Sequence, residues 1–296
     1  TTFPSKWTNK FNKVIRRQRD MMNTDIINNY SRLRAFLFFV PVFLLITIVL
    51  FLYGQDALCV DEYIQIQKGS FFFINYNLGQ YPGLQFNLTQ LGDALIFLSF
   101  LGIFIVYAPK IWESLIPGLL VSLVLSFSLK IIFAVPRPAA VFDNNSFIIV
   151  GKKLSGFNSL PSGHAITVFT VLTILMFAFM PGKLKYKITW FFSVIIIGLV
   201  LAFTRVGVGA HYPVDVIAGS IVGYISGLTG IFISRKYKIC AWVNDKKYYP
   251  VFILLFLVCC ILLVNKINNE NLVIYYLSFA SLVVSLYKII NVYAKK

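Results

Sequence analysis

The sequence predicts an all-α protein, a polytopic bundle of membrane-spanning helices, on three observations. Only 13% of its 296 residues are charged, against about 25% in a soluble domain. Hydrophobic residues make up 58% of the chain and the mean hydropathy is +0.78. The apolar residues gather into eight blocks, each near the roughly 20 residues needed to cross about 30 Å of hydrocarbon. This excludes a disordered chain and a cytosolic enzyme, and a porin-type barrel would show short alternating strands instead.

In order, the blocks run near Ala35–Tyr53, Leu91–Ala108, Ile111–Val135, Pro161–Met180, Ile188–Arg205, Pro213–Ser234, Tyr249–Asn265 and Asn271–Ile290. Each reads as a helix, because backbone polar groups in lipid must be bonded within their own segment. Residues 1–34 form a basic cytoplasmic segment, 35–234 a six-helix core, and 235–296 a basic loop with two further helices. The 34 residues before the first block are mostly polar and basic, so it reads as an uncleaved anchor without a cleavable signal peptide.

The loops set the orientation. Alternate segments hold twenty Lys and Arg (among them Lys6, Arg17, Arg34, Lys110, Lys183, Arg235, Lys247 and Lys296), while the other set holds only Lys68, Lys130, Arg137, Lys152, Lys153, Arg205 and Lys266. Positive charge accumulates on the cytoplasmic side, so both termini are expected there, in a multi-pass protein of the inner (plasma) membrane. The net charge of +16 is then a topology signal and not a nucleic-acid footprint, although the basic N-terminal segment also suits anionic lipid. Of the outward segments, Gln55–Gln90 is expected as loop and interfacial helix, and Pro136–Leu160 and Gly207–Tyr212 follow the third and fifth spans. Asn87-Leu-Thr89 and Asn144-Asn-Ser146 match glycosylation acceptors. The four cysteines give neither a disulfide framework nor metal-ligand spacing.

Lys130, Arg137, Arg205 and both histidines, His164 and His211, fall at the outward ends of spans. Ionisable groups at membrane depth are costly and usually functional, and their gathering at one level suggests an anion site. Residues 130–138 place Lys130 about one turn inside the third span, where Pro136 and Pro138 break the helix. A lysine point charge and a planar arginine fork suit a tetrahedral oxyanion; alone, the pair also reads as a snorkelling Lys and an interfacial Arg. Residues 161–164, Pro-Ser-Gly-His, open the fourth span, and a helix N-terminus binds phosphate readily. Ser162 can cap the helix or donate its hydroxyl, Gly163 admits a ligand to the backbone, and His164 faces it; an ordinary capped helix start is the plainer reading. Residues 204–215 carry Arg205, His211 and Asp215. The i, i+4 spacing lets Asp215 meet one His211 nitrogen and fix the tautomer, leaving the other as a nucleophile, or else makes a structural His–Asp pair.

In order and spacing these elements resemble the three-part signature of the type 2 phosphatidic acid phosphatase superfamily, K-x6-R-P, P-S-G-H and S-R-x5-H-x3-D, with Thr204 in place of the Ser. The resemblance implies phosphoryl transfer without metal or other cofactor, through a phosphohistidine. His211 would be the nucleophile, Asp215 its orienting partner and His164 the general acid and base. Lys130, Arg137, Ser162, Gly163 and Arg205 would hold the phosphate. It further implies an outward-facing lipid phosphatase in the bilayer, acting on polyprenyl pyrophosphate, phosphatidylglycerol phosphate, phosphatidic acid or lipid A phosphate. A lipid-to-lipid phosphotransferase is the alternative. An anion transporter or channel is remote, since the spans carry almost no polar route across the bilayer.

Overall fold

The computed structural model describes residues 20–294, and among them helices and turns are present without strands. Among the described residues, six helices are long and apolar enough to cross a membrane. Residues 20–31 form α1. A 3-10 turn, Ala35–Phe38, leads into α2 (Phe39–Gly54). Then come α3 (Val60–Gly79), α4 (Pro82–Thr89), α5 (Ala94–Leu101), α6 (Phe104–Tyr107), α7 (Pro109–Phe133) and α8 (Pro138–Val141). The rest are α9 (Gly163–Ala178), α10 (Leu184–Gly207), α11 (Pro213–Lys236), α12 (Tyr249–Glu270) and α13 (Val273–Ala294).

The centre is α9, shorter than the expected Pro161–Met180 at 16 residues, eleven of them buried. It is wrapped by α7, α10 and α11. Close approach needs small residues, and α11 supplies them. A methyl built on Gly230 would collide with the Ser114 carbonyl and sit 2.7 Å from Gly118 Cα of α7. This is the small-residue helix packing of membranes.

Three expectations are corrected. The second span, Leu91–Ala108, is not one helix: a 72° bend separates 82–92 from α5, and a second break follows Leu101. Asp93 causes the first, because its Oδ1 accepts the Leu95 N–H at 2.9 Å and starts a new helix. At the second, the Trp112 indole N–H donates to the freed Leu101 carbonyl at 2.9 Å. Next, Gln55–Gln90, expected as loop and interfacial helix, holds little loop, and its helix α3 packs along α10 and α11 instead of lying apart from the bundle. Finally, Asn87 lies inside α4, with Thr89 buried, so that tripeptide offers no extended acceptor chain.

The N-terminal segment also does more than carry charge. Ile26 and Tyr30 are fully buried, the Tyr30 hydroxyl donates to the Ile174 carbonyl at 3.1 Å, and Arg235 donates to the Leu33 carbonyl at 2.9 Å. Thus α1 docks at the end of the bundle where α9 and α11 finish, with the basic loops. Lys6, Lys10, Lys13, Arg16, Arg17, Arg19, Lys295 and Lys296 lie outside the described residues.

Gly230→Ala should lower the melting temperature in detergent by an amount corresponding to about 1–3 kcal/mol of overpacking. Gly69→Ala, in the interior of α3 with nothing within 4 Å, should hold or slightly raise it. Equal melting of the two variants would contradict the packing described.

Candidate active site

The ends of α7 and α10 and the starts of α9 and α11 meet at the end of the bundle opposite the basic loops. Each is shaped locally by its sequence. After Lys130, α7 stops at Ala134, which adopts a left-handed conformation (φ 44°), and Pro136 and Pro138 prevent its continuation. Ser162 takes the extended conformation of an N-cap ahead of α9, and Pro213 opens α11. Between α10 and α11, Gly209 has φ 75°, and a Cβ there would lie 2.6 Å from the Ile148 carbonyl. Only glycine fits that turn.

All eight residues expected from the sequence converge. Lys130 reaches over the start of α9, so that a methyl on Gly163 would sit 3.3 Å from its Nζ. Arg137 donates through Nε to Asn158 Oδ1 at 2.7 Å and through Nη1 to the Ala210 carbonyl at 3.3 Å, beside His211. Arg205 donates through Nη1 to Thr89 Oγ1 at 2.9 Å. His164 sits in the first turn of α9, within the field of Arg205, His211, Arg137 and Lys130. Ser162 does not cap its helix; its hydroxyl and Arg205 Nε are buried without a protein partner. The Thr204 hydroxyl donates into its own helix, to the Leu201 carbonyl at 2.5 Å.

Asp215 is fully buried and carries the densest set of bonds. Its Oδ1 accepts from the Tyr63 hydroxyl at 2.6 Å. Its Oδ2 accepts from the Ser159 hydroxyl at 2.6 Å and from the Tyr212 N–H at 2.9 Å. His211 Nδ1 stands 3.5 Å from the same Oδ2 and 3.4 Å from Ser159 Oγ. The Asp215 carbonyl accepts the Ser162 N–H at 3.0 Å, so one residue ties the second and third sequence elements together. Burial, reinforced by Arg137, Arg205 and Lys130, holds His211 well below the ordinary histidine range and so favours the neutral ring. A neutral imidazole oriented through Nδ1, ringed by cations with unused donors, suits a tetrahedral anion. Among the described residues, no three His, Cys, Asp or Glu side chains converge as metal ligands.

Sequence reasoning missed Tyr63, Gln67, Asn75, Thr89, Asn158 and Ser159. Gln67 Oε1 accepts the Val214 N–H at 2.8 Å, capping α11. Asn75 binds both the N–H and the carbonyl of Ile148 and donates to the Val206 carbonyl at 3.0 Å, pinning the loop between α8 and α9 to the end of α10. A signal for the α3 residues was present: Tyr63, Gln67, Phe71, Asn75 and Gly79 recur at four-residue spacing and are the buried stripe. Ser159 and Asn158 carry no such signal.

The chain is similar to known proteins in sequence and in structure. Residues 112–239 match the PAP2 superfamily. An undecaprenyl-diphosphatase of Sulfolobus acidocaldarius is 29% identical over 62% of this chain and 82% of its own length. A lipid A 1-phosphatase of Rhizobium etli is 36% identical over 32% of this chain and 40% of its own length. The crystal structure of Aquifex aeolicus LpxE is similar with a TM-score of 0.46 and 24% identity, covering 56% of this chain and 95% of that one. The match to the PAP2 superfamily runs from α7 through α11, and over it the chain is similar to phosphatases of that superfamily.

Proposed function

We propose that this membrane protein hydrolyses a lipid phosphate or pyrophosphate at the extracytoplasmic face, through a phosphohistidine on His211. The observation that carries the reading is the buried His211 ring, whose Nδ1 faces Asp215 and Ser159 so that Nε2 is left for the phosphate. Nε2 attacks phosphorus in line, forming the P–N bond as the P–O bond to the lipid breaks, and His164 gives its proton to the leaving oxygen. Water then attacks the phosphohistidine, His164 takes its proton, the P–N bond breaks and inorganic phosphate leaves. Asp215 balances the positive charge that His211 carries in between. Lys130, Arg137, Arg205, the Ser162 hydroxyl and the backbone at Gly163 hold the oxygens, where preorganised donors stabilise the transition state most.

The relatives named undecaprenyl-diphosphatase and lipid A 1-phosphatase support a long-chain lipid phosphate, and a polyprenyl pyrophosphate is our first choice. The orientation rests on the basic loops at the end opposite the site.

Purified protein should release phosphate over many turnovers from at least one lipid phosphate supplied alone. Excess EDTA should leave this release intact and vanadate should inhibit it. A single burst that resumes only on adding a second lipid would mark a transferase. His211→Ala should lose turnover while staying folded, His164→Ala should fall by about 10²–10⁴, and Tyr63→Phe by about tenfold, for one bond to a charged group.

The acid limb of kcat/KM should lie below about pH 6.5, the ordinary histidine value, since His211 resists protonation when free and must be neutral to attack. A limb at or above that value would contradict the buried ring.

In a cysteine-free background, Asn145→Cys should react with an impermeant maleimide in intact cells and Gly182→Cys should not. The reverse pattern would invert the topology.

A further inference from the structure

Besides α3, two segments outside residues 112–239 bear on the site, one by direct contact and the other through the first. One is the bend formed by α4 and the start of α5. Thr89 on that bend is buried and accepts the Arg205 bond at 2.9 Å. Gly92 lies so close to His164 that a Cβ on it would sit 2.6 Å from the histidine Cβ. The bend therefore sets the position of both residues. Its own position is set from the other segment, the α12–α13 pair. Lys266 of α12 donates to Asp93 Oδ2 at 3.0 Å, while Oδ1 of the same carboxylate caps α5. Asn87 Oδ1 accepts the Ile274 N–H at 3.1 Å, one of the otherwise unpaired donors in the first turn of α13. Deeper in, Ser281 donates to the Ser99 carbonyl at 3.1 Å, and Gly102 packs on Ser285 and Phe256.

Resting on the reading of Arg205 and His164 as site residues, we propose that the α12–α13 pair is a brace for the active site. Lys266 and Asn87 act as positioning residues that hold the bend, and Thr89 and Gly92 pass that position to Arg205 and His164. The physical reason is the break itself. A continuous span would be held straight by its own i to i−4 bonds, whereas a chain bent by 72° at Asp93 has given up those bonds and takes its angle from outside contacts. Both ends of the bend have such contacts, and both come from the same helix pair. Lys266 is about one-third exposed, so its replacement perturbs the bend without opening the core.

The test uses full-length protein in detergent, with inorganic phosphate as the probe and amide hydrogen exchange across residues 82–95 as a second readout. Thr89→Val should weaken phosphate binding by about tenfold or more, as it removes a bond to a charged group. Lys266→Met and Asn87→Ala should each raise exchange in 82–95 and weaken phosphate binding by about two- to fivefold, the scale of a partly exposed ion pair. Lys266→Arg should restore both. In the Thr89→Val background, Lys266→Met should add no further loss, because the two act along one path. Exchange unchanged in Lys266→Met, or losses that simply multiply in the double variant, would overturn the brace. A parent protein that fails to bind phosphate would instead sink the anion-site reading, and the exchange comparison would still decide the brace.

Discussion

A carboxylate cut off from water must find its hydrogen bonds in the protein, and the site is organised around that demand at Asp215. Tyr63, Ser159 and the Tyr212 backbone meet it, and these three donors come from α3, from the loop before α9 and from the turn before α11. The same residue's carbonyl holds the Ser162 N–H. Satisfying one buried charge therefore fixes how three separate segments meet. It also fixes the ring of His211, whose Nδ1 has only Asp215 and Ser159 to face. An unpaired buried carboxylate would cost several kcal/mol, so the stability of the fold and the geometry of the site are one requirement.

The bundle makes this possible by separating two kinds of chemistry along its length. At one end, helix ends bring together Lys130, Arg137 and Arg205, whose mutual repulsion is costly in a buried setting and is offset by the Asp215 carboxylate. At the other end, Glu113 is buried against Lys110 and Asn244, and α1 closes the underside. Between them α9 runs through glycine-lined contacts with α11, which leave no room for the helices to slide. The charge left over at the first end is what a bound anion would neutralise.

Much of this was legible from the chain. Lys130–Pro138, Pro161–His164 and Thr204–Asp215 are local patterns, in which helix ends, prolines and an i, i+4 pair carry their meaning within a few residues. What was not legible is long-range. Tyr63 meets Asp215 across 152 positions and Thr89 meets Arg205 across 116, and no local periodicity names such partners. The Leu91–Ala108 block misled because hydropathy registers composition and not continuity. It cannot register that Asp93, allied with Lys266, starts a helix of its own. The interior of α3 lay between these cases: Tyr63, Gln67 and Asn75 stand at four-residue spacing, but with polarity too high for a span the segment read as loop and interfacial helix.

The central claim is that phosphorus becomes bonded to His211 during turnover. Acid-labile, alkali-stable label transferred from a radiolabelled lipid phosphate, mapped by proteolysis, tests it most directly. The account expects the label on the peptide bearing His211, absent from His211→Ala and prolonged in His164→Ala, where hydrolysis is slowed. Sustained phosphate release with no labelled histidine in any of these proteins, or label confined to another residue, would contradict it.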